Sequence, residues 1–358
     1  MNGSRSVCFW LVLALCLCVS VVIISCGSKP TDMRALVPAE TLVYLETNDL
    51  AGALQPIIDS KPFAEVATSK PDLSALKGVQ LAVAVTGFET TEAKLSDNGT
   101  VANVRPRFVA VADTHAWNYQ AARFTEERLG SFVEEVYRSD PKLERSDAKG
   151  GTYFVWTADD GRKAYALVIN SMIYFGNDET AIDKCLAVRR SDSDSLARAG
   201  KFQPAAGALA AGNISREGVA QIAGLLGVKF ASVAPDDDAE LRDAISTVLP
   251  GEIRAGVTEI SWAMTRTDQG IEDRFWVTMP ANRPPGEFLT EIGTSLSESI
   301  QETSADELAG VFGIAKTGAA GANQIYSQEN RTTATGLERR AVSDLGFIGW
   351  MIAQLAQD

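Results

Sequence analysis

Histidine is nearly missing from this 358-residue chain, with His115 the only one. Cysteine is missing from almost all of it. Cys8, Cys16, Cys18 and Cys26 crowd the N-terminus, and Cys185 stands alone in the rest. A zinc site needs several histidine or cysteine ligands, so the body has no ordinary set to offer. Disulfides cannot staple it either, and stability must come from a conventional core. Basic charge is also short, with 33 Lys and Arg against 46 Asp and Glu and a net charge of −13. Binding to nucleic-acid phosphates rests on a basic footprint, so nucleic acid is excluded as a partner. A nucleophile elbow of the Gly-x-Ser-x-Gly type is absent. What is present is ordinary for a globular chain: 46% hydrophobic and 22% charged residues, on a length that suggests about two domains.

The N-terminal cysteines belong to a leader. Arg5 and the amino terminus form a short positive region, and residues 7–24 contain only one polar side chain, Ser20. Ile23-Ile24-Ser25-Cys26 then resembles the lipobox of bacterial lipoprotein precursors: aliphatic, aliphatic, small, cysteine. The resemblance implies that diacylglycerol is added to the Cys26 thiol, that the chain is cut between Ser25 and Cys26, and that Cys26 becomes the new N-terminus. The alternative is an uncleaved anchor helix. Either places the body outside the cytoplasm and fixes it to a membrane. Acyl chains anchor durably because each buried methylene contributes about 0.8 kcal/mol. Gly27 follows the acylated cysteine where the enterobacterial sorting rule places an inner-membrane aspartate, which leans towards the outer membrane. Loss of residues 1–25 removes Arg5 and no acidic residue, so the remainder is one charge more negative.

After a polar tether at 26–35, residues 36–190 read as one α+β lobe and 206–358 as a second, joined by a linker at 191–205. In the first lobe, strands fall at 41–47, 79–89, 107–112, 152–157, 163–169 and 172–175. Helices are expected from Asp49 towards Ile58 with a break at Pro56, and over 116–137. A further helix at 179–190 is opened by Asn177-Asp178. Trp117, Ala121, Phe124, Phe132, Val133 and Val136 mark the apolar face of the long helix. The second half repeats this order at an offset of about 165–180 residues. A strand at 207–214 enters a helix at 216–226. A helix at 236–248 stops at Pro250-Gly251, strands follow at 256–267 and 271–279, and a helix at 286–300. The expected fold is thus two similar α+β lobes, each an antiparallel sheet with helices packed on one face.

The segment Leu36-Val37-Pro38-Ala39-Glu40-Thr41-Leu42-Val43-Tyr44, the strand–Gly-Asn-Asp–helix stretch at 173–181 and the strand opening the second half resemble an uncharacterised bacterial envelope family, domain of unknown function 3352. The likeness spans roughly residues 35 to 280 and rests on loose motifs. It implies an envelope setting and a two-part layout, and the family brings no assigned activity or catalytic residue.

Candidate chemistry is sparse. His115 with Asp113 is the one possible dyad, and adjacent positions leaving a strand are expected to point apart. Cys185 recurs with Ile182, Leu186 and Arg189 at helical spacing and reads as a small buried apolar residue. Asp236-Asp237-Asp238 opens a helix, where acidic residues suit the helix dipole, and Asp159-Asp160-Gly161 is a hairpin turn. Residues 310–317 approach a phosphate loop but carry Ala315 in place of the glycine before Lys316. Trp156, Trp262, Trp276 and Tyr44, Tyr153, Tyr165, Tyr174 lie in strands as core or as the lining of a groove. The apolar segment 345–355 is too short to span a bilayer and reads as a buried helix packed on the second lobe, with a docking surface for a partner or membrane as the alternative. No catalytic residue, cofactor or metal is assigned. The expected role is non-enzymatic binding or assembly by a lipid-anchored envelope protein, with an unidentified envelope partner. A carboxylate-based hydrolase and a carrier of hydrophobic ligands are the alternatives.

Overall fold

The computed structural model describes residues 30–66, 70–96, 99–191, 193–231, 244–282 and 325–349. The alternation of small and branched residues builds one 12-stranded antiparallel sheet. Its strands are β1 (Val43–Thr47), β2 (Gln80–Ser96), β3 (Gly99–Asp113), β4 (Lys142–Ala148), β5 (Gly151–Thr157) and β6 (Lys163–Ile169). They continue with β7 (Met172–Gly176), β8 (Ala210–Ile214), β9 (Glu259–Arg266), β10 (Ile271–Thr278), β11 (Ile325–Thr333) and β12 (Gly336–Ser343). The spatial order is β11-β12-β10-β9-β8-β1-β2-β3-β7-β6-β5-β4. Each half therefore runs outward in the same way, β1-β2-β3-β7 on one side and β8-β9-β10-β12 on the other. The α+β class and the repeated order hold.

The two halves are joined within this one sheet. β1 pairs with β2 on one edge and with β8 on the other, in the register Val43↔Ile214 to Glu46↔Ala211. Gly212 permits this seam, since a Cβ there would lie 2.5 Å from Leu45 Cδ2 and 2.9 Å from the Tyr44 carbonyl oxygen.

Helices lie on both faces. On the face of Tyr44, helix α5 (Glu179–Arg189) and the 3-10 turn Met33–Leu36 cover Ala82, Ala84, Val109, Val111, Leu167 and Tyr174, all essentially inaccessible. On the face of Leu45, α1 (Leu50–Ile58), which is followed by α2 (Lys61–Val66), packs Ala53 and Ile57 against Trp262, Met264 and Ile271. Helices α6 (Arg216–Ala231) and α7 (Leu249–Gly256) pack beside it through Val219 and Ile253. Over the outer strands of the first half sit α3 (Asn118–Phe124) and α4 (Gly130–Tyr137). Between these covers, Leu81, Val83 and Val85 of β2 and Phe108 and Ala110 of β3 stay half-buried, although their neighbours on the other face are sealed. That half-buried strip is two strands wide, about 10 Å.

Several local features differ from the sequence expectation. The α1 helix does not break at Pro56, which is buried in its last turn, close to where the helix ends at Ile58. Pro250-Gly251 does not stop a helix: a π turn, Ala244–Val248, runs directly into α7, whose first turn holds both residues. The helix over 116–137 is interrupted by a π turn, Thr125–Leu129. The buried line runs through Ala121, Ala122, Thr125 and Val133, and Trp117, Phe124, Phe132 and Val136 are exposed. β4, β11 and β12 were not expected. The segment 191–205 also departs from a free connector. Leu196 and Phe202 are core residues, Ser195 bridges to Pro38, and the Arg34 guanidinium donates to the Phe202 carbonyl at 2.6 Å. The expected helices at 236–248 and 286–300, the loop at 310–317 and most of 345–355 lie wholly or mainly outside the described residues, as do Asp236, Asp237 and Asp238.

Phe202 tests the packing of this segment. Phe202→Ala should cost about 3–5 kcal/mol in urea denaturation, the usual loss for a buried phenylalanine. A change near zero would mean that the segment is a loose connector after all.

Candidate binding site

Ile23, Ile24, Ser25 and Cys26 lie outside the described residues, so the site must be sought in the body. Cys185 is fully buried, and burial, with a smaller contribution from Glu40, pushes its thiol up to about 12. Such a thiol is protonated and inert at neutral pH. His115 sits closer to Asp113 than expected. Its backbone is left-handed (φ 52°), which turns the ring back so that Nδ1 lies 3.4 Å from Asp113 Oδ1, while its own N–H donates to the same oxygen at 3.1 Å. Local turn geometry, invisible in the spacing, made this pair.

Two buried carboxylates are held up by burial. Glu46 accepts the Tyr44 hydroxyl at 2.6 Å; burial raises its pKa, and Tyr44 and Arg34 only partly offset this. Asp273 accepts the Trp262 indole N–H at 2.8 Å and the Phe347 N–H at 2.7 Å, and burial raises it to about 6. Glu46 shares the Tyr44 face, whereas Asp273 lies beside Trp262 on the other. The sheet therefore separates them, and they cannot share a substrate as an acid–base pair. Glu272, next to Asp273 but on the Tyr44 face, is buried between Arg274 and Arg340. Burial pushes it up, but the two guanidiniums outweigh this and hold it below the ordinary carboxylate value.

An open hollow of about 640 Å³ lies at one end of the first half. The start of α3, the β4–β5 turn and the end of β6 form it. Gly151 lets β5 approach β6 there, since a Cβ would meet the Val168 carbonyl oxygen at 2.1 Å. Lys149 (φ 54°) and Asn170 (φ 57°) both line it in left-handed turn conformations. Lys149 turns away from the space. It bridges Asp183 and Glu179 on α5 and lies 5.5 Å over the Tyr153 ring, whose hydroxyl donates to Glu179 at 2.9 Å. Burial works against its charge, but Asp183 and Glu179 hold its pKa above the ordinary lysine value.

The remaining polar groups are uncommitted. Among the described residues, the side chains of Asn118, Asp147, Thr152 and Asn170 make no hydrogen bond or ion pair. On either side of Asn118 stand Trp117 and Tyr119, 75% and 68% exposed. The Trp117 N–H donates to the Gln120 side-chain oxygen at 3.1 Å, which fixes the start of the helix. The sequence reading placed Trp117 in a core face and overlooked β4, so it had no means of bringing Asn118, Asp147 and Asn170 together. The Asn170-Ser171 and Lys149-Gly150 turn pairs are the only local signals of this end.

No family model matches the chain. No curated protein matches it significantly. Among solved structures, crystal form I of TP0453 matches at 10% identity and a TM-score of 0.40, covering 91% of this chain and 98% of that one. Form III gives 11% identity and 0.38 over 91% and 100% of the two chains. Form IV gives 12% and 0.40 over 89% and 95%. Similarity at this level carries no argument about activity.

The buried Asp273 makes a pH prediction. Its folded pKa lies above the unfolded value, so its contribution to stability is complete at low pH and is lost as pH rises through about 6. Glu46, also raised, acts in the same sense, and Glu272, lowered, loses stabilisation only as pH falls below the ordinary carboxylate range. Between pH 7 and pH 5, Asp273 should therefore add about 1 kcal/mol to stability measured by denaturant titration. Asp273→Asn should flatten that slope, and an unchanged slope would remove Asp273 as its source.

Proposed function

We propose that this chain is a lipid-anchored protein of the bacterial cell envelope that works by binding or assembly rather than catalysis. The anchor is diacylglycerol on Cys26, reached through the Ile23-Ile24-Ser25-Cys26 lipobox and cleavage after Ser25, with the outer membrane favoured by Gly27. The observation that carries the binding role is the hollow beside Asn118. Four polar side chains line open space with no partner of their own among the described residues, and the sequence neighbours of Asn118, Trp117 and Tyr119, are exposed. Exposed large aromatics are uncommon on a surface that serves only to be wetted, and they are enriched where a partner docks. The separation of Glu46 from Asp273 by the sheet argues against the hydrolase alternative.

A second reading has its own support. The half-buried apolar strip of Leu81, Val83, Val85 and Phe108 is about as wide as one helix or a pair of acyl chains, which suits a carrier of hydrophobic ligands.

Two measurements test the proposal. Radiolabelled palmitate should enter the wild type, and Cys26→Ala should abolish both labelling and membrane fractionation; a variant that stays labelled and anchored sinks the lipobox reading. Crosslinking in the native envelope should capture a discrete partner that Trp117→Ala loses. Capture that ignores Trp117, or no capture at all, would count against this surface as the binding site.

A further inference from the structure

We propose that the long β2–β3 hairpin is a dimerisation arm that pairs edge to edge with the same hairpin of a second copy of this chain. The hollow beside Asn118 plays no part in it. β2 and β3 stay paired with each other from Gln80↔Asp113 to Ser96↔Gly99. Their outer neighbours stop earlier. β1 pairs with β2 only as far as Val85, and β7 pairs with β3 only as far as Val109. Residues 87–96 and 99–107 therefore leave the sheet as a two-stranded arm about 30 Å long. A lone hairpin is marginally stable in water, and each of its edges carries a row of unpaired backbone groups.

The two edges differ. On β3 the outward backbone groups lie at even positions: Asn177 donates from Nδ2 to the Pro106 carbonyl at 2.8 Å and accepts the Phe108 N–H at 3.0 Å through Oδ1. Asn177 thus takes the place of a further β7 residue, and Pro106 has no N–H to offer another strand, so this edge is closed at its base. On β2 a bulge between Val85 and Gly87 changes the alternation. Before it odd residues bond towards β1, as the Leu42 N–H does to the Val85 carbonyl at 2.8 Å. Beyond it even residues turn their backbone groups outward, because Gly87, Glu89, Thr91 and Ala93 stand opposite the inward-bonding Arg107, Arg105, Asn103 and Val101. Phe88, Thr90, Glu92 and Lys94 therefore each present an N–H and a C=O with no backbone partner among the described residues. The chain before β1 does not cover them, since the Thr41 N–H turns back onto the Pro38 carbonyl.

These four residues are centred on Thr91, and that symmetry selects the partner. An antiparallel copy laid with Thr91 against its own equivalent puts Phe88 of one copy opposite Lys94 of the other, and Thr90 opposite Glu92. Every open N–H and C=O of the four is then bonded, and no like charges stand opposite one another. Sliding the two-fold axis to Glu92 sets that residue against itself, and sliding it to Ala93 leaves Phe88 unpaired. Length, hydrogen-bond alternation and charge thus agree on a second copy in one register.

The test is disulfide trapping of the full chain in the native envelope, with copper phenanthroline as oxidant, non-reducing gels as readout and the unsubstituted chain as the blank. At a non-hydrogen-bonded antiparallel pair the Cα atoms lie about 4.5 Å apart, within disulfide reach, so Thr91→Cys should give a species of twice the monomer mass. Ala93→Cys, on the same strand, stands about 14 Å from its equivalent in this register and should crosslink about tenfold less. Thr90→Pro added to Thr91→Cys removes an N–H that bonds nothing within the arm. The thermal unfolding midpoint should therefore hold while the crosslink falls about tenfold or more. No crosslink from Thr91→Cys, equal crosslinking by Ala93→Cys, or a crosslink that survives Thr90→Pro would overturn the proposal. So would trapping of Thr91→Cys to a chain of another mass, because the edge would then serve a different partner.

Discussion

Each buried N–H and C=O of a strand inside a sheet must find a partner on both sides. β1 meets this demand by pairing with β2 from its own half and with β8 from the other. The rest of the structure depends on that shared ladder. It makes one sheet of two repeated halves, and it sets Tyr44 and Glu46 on one face and Leu45 on the other. It also brings Arg34 and Phe202, far apart in sequence, into one clasp over the Tyr44 face. Gly212 is the residue without which the two strands could not approach so closely.

The first half is sealed on the Tyr44 face and only partly covered on the Leu45 face, and this asymmetry shapes both candidate surfaces. Ala121, Ala122 and Thr125 meet the sheet up to the π turn and Val133 after it, while larger aromatics stand at the margin, Phe132 still edge-on to Phe175 at 6.1 Å. Small residues facing the sheet let the helix sit close, and the bulky ones displaced from the interface become available to partners. The hollow at the start of the same run is built by turns, whose backbone is fixed by left-handed residues and by the Lys149 bridges. Rigid walls with uncommitted side chains are what a binding site needs, and a core does not produce them by accident of packing.

Much of the fold was legible because period and punctuation agreed. Val43–Thr47, Lys163–Ile169 and Glu179–Arg189 declare themselves by branched runs and by the Asp178 cap, whose side chain accepts the Thr180 N–H at 2.9 Å. The matching order of the halves was legible for the same reason. β4 and β11 were not, because an edge strand that faces solvent on both sides has no apolar alternation to read. Their Lys142, Glu144, Arg145 and Arg331 guard open edges against pairing with other chains. The joining of the halves was hidden too, since antiparallel partners about 170 residues apart leave no local mark. The site was the least legible part. Asn118, Asp147 and Asn170 are unremarkable as letters, and His115 meets Asp113 only because its backbone enters the left-handed region.

The position of β1 has a mechanical side. A strand bonded along both edges yields to a pull along its length only when many hydrogen bonds shear together, whereas a strand at the margin peels one bond at a time. Tension entering at Asp32 first meets the Arg34 clasp, where the guanidinium grips Asp32 at 2.9 and 3.0 Å, and then passes to β1. The chain thus presents a strand bonded along both edges to a load arriving from its N-terminal side, while β4 and β11, each bonded along one edge, sit at the far margins of the sheet.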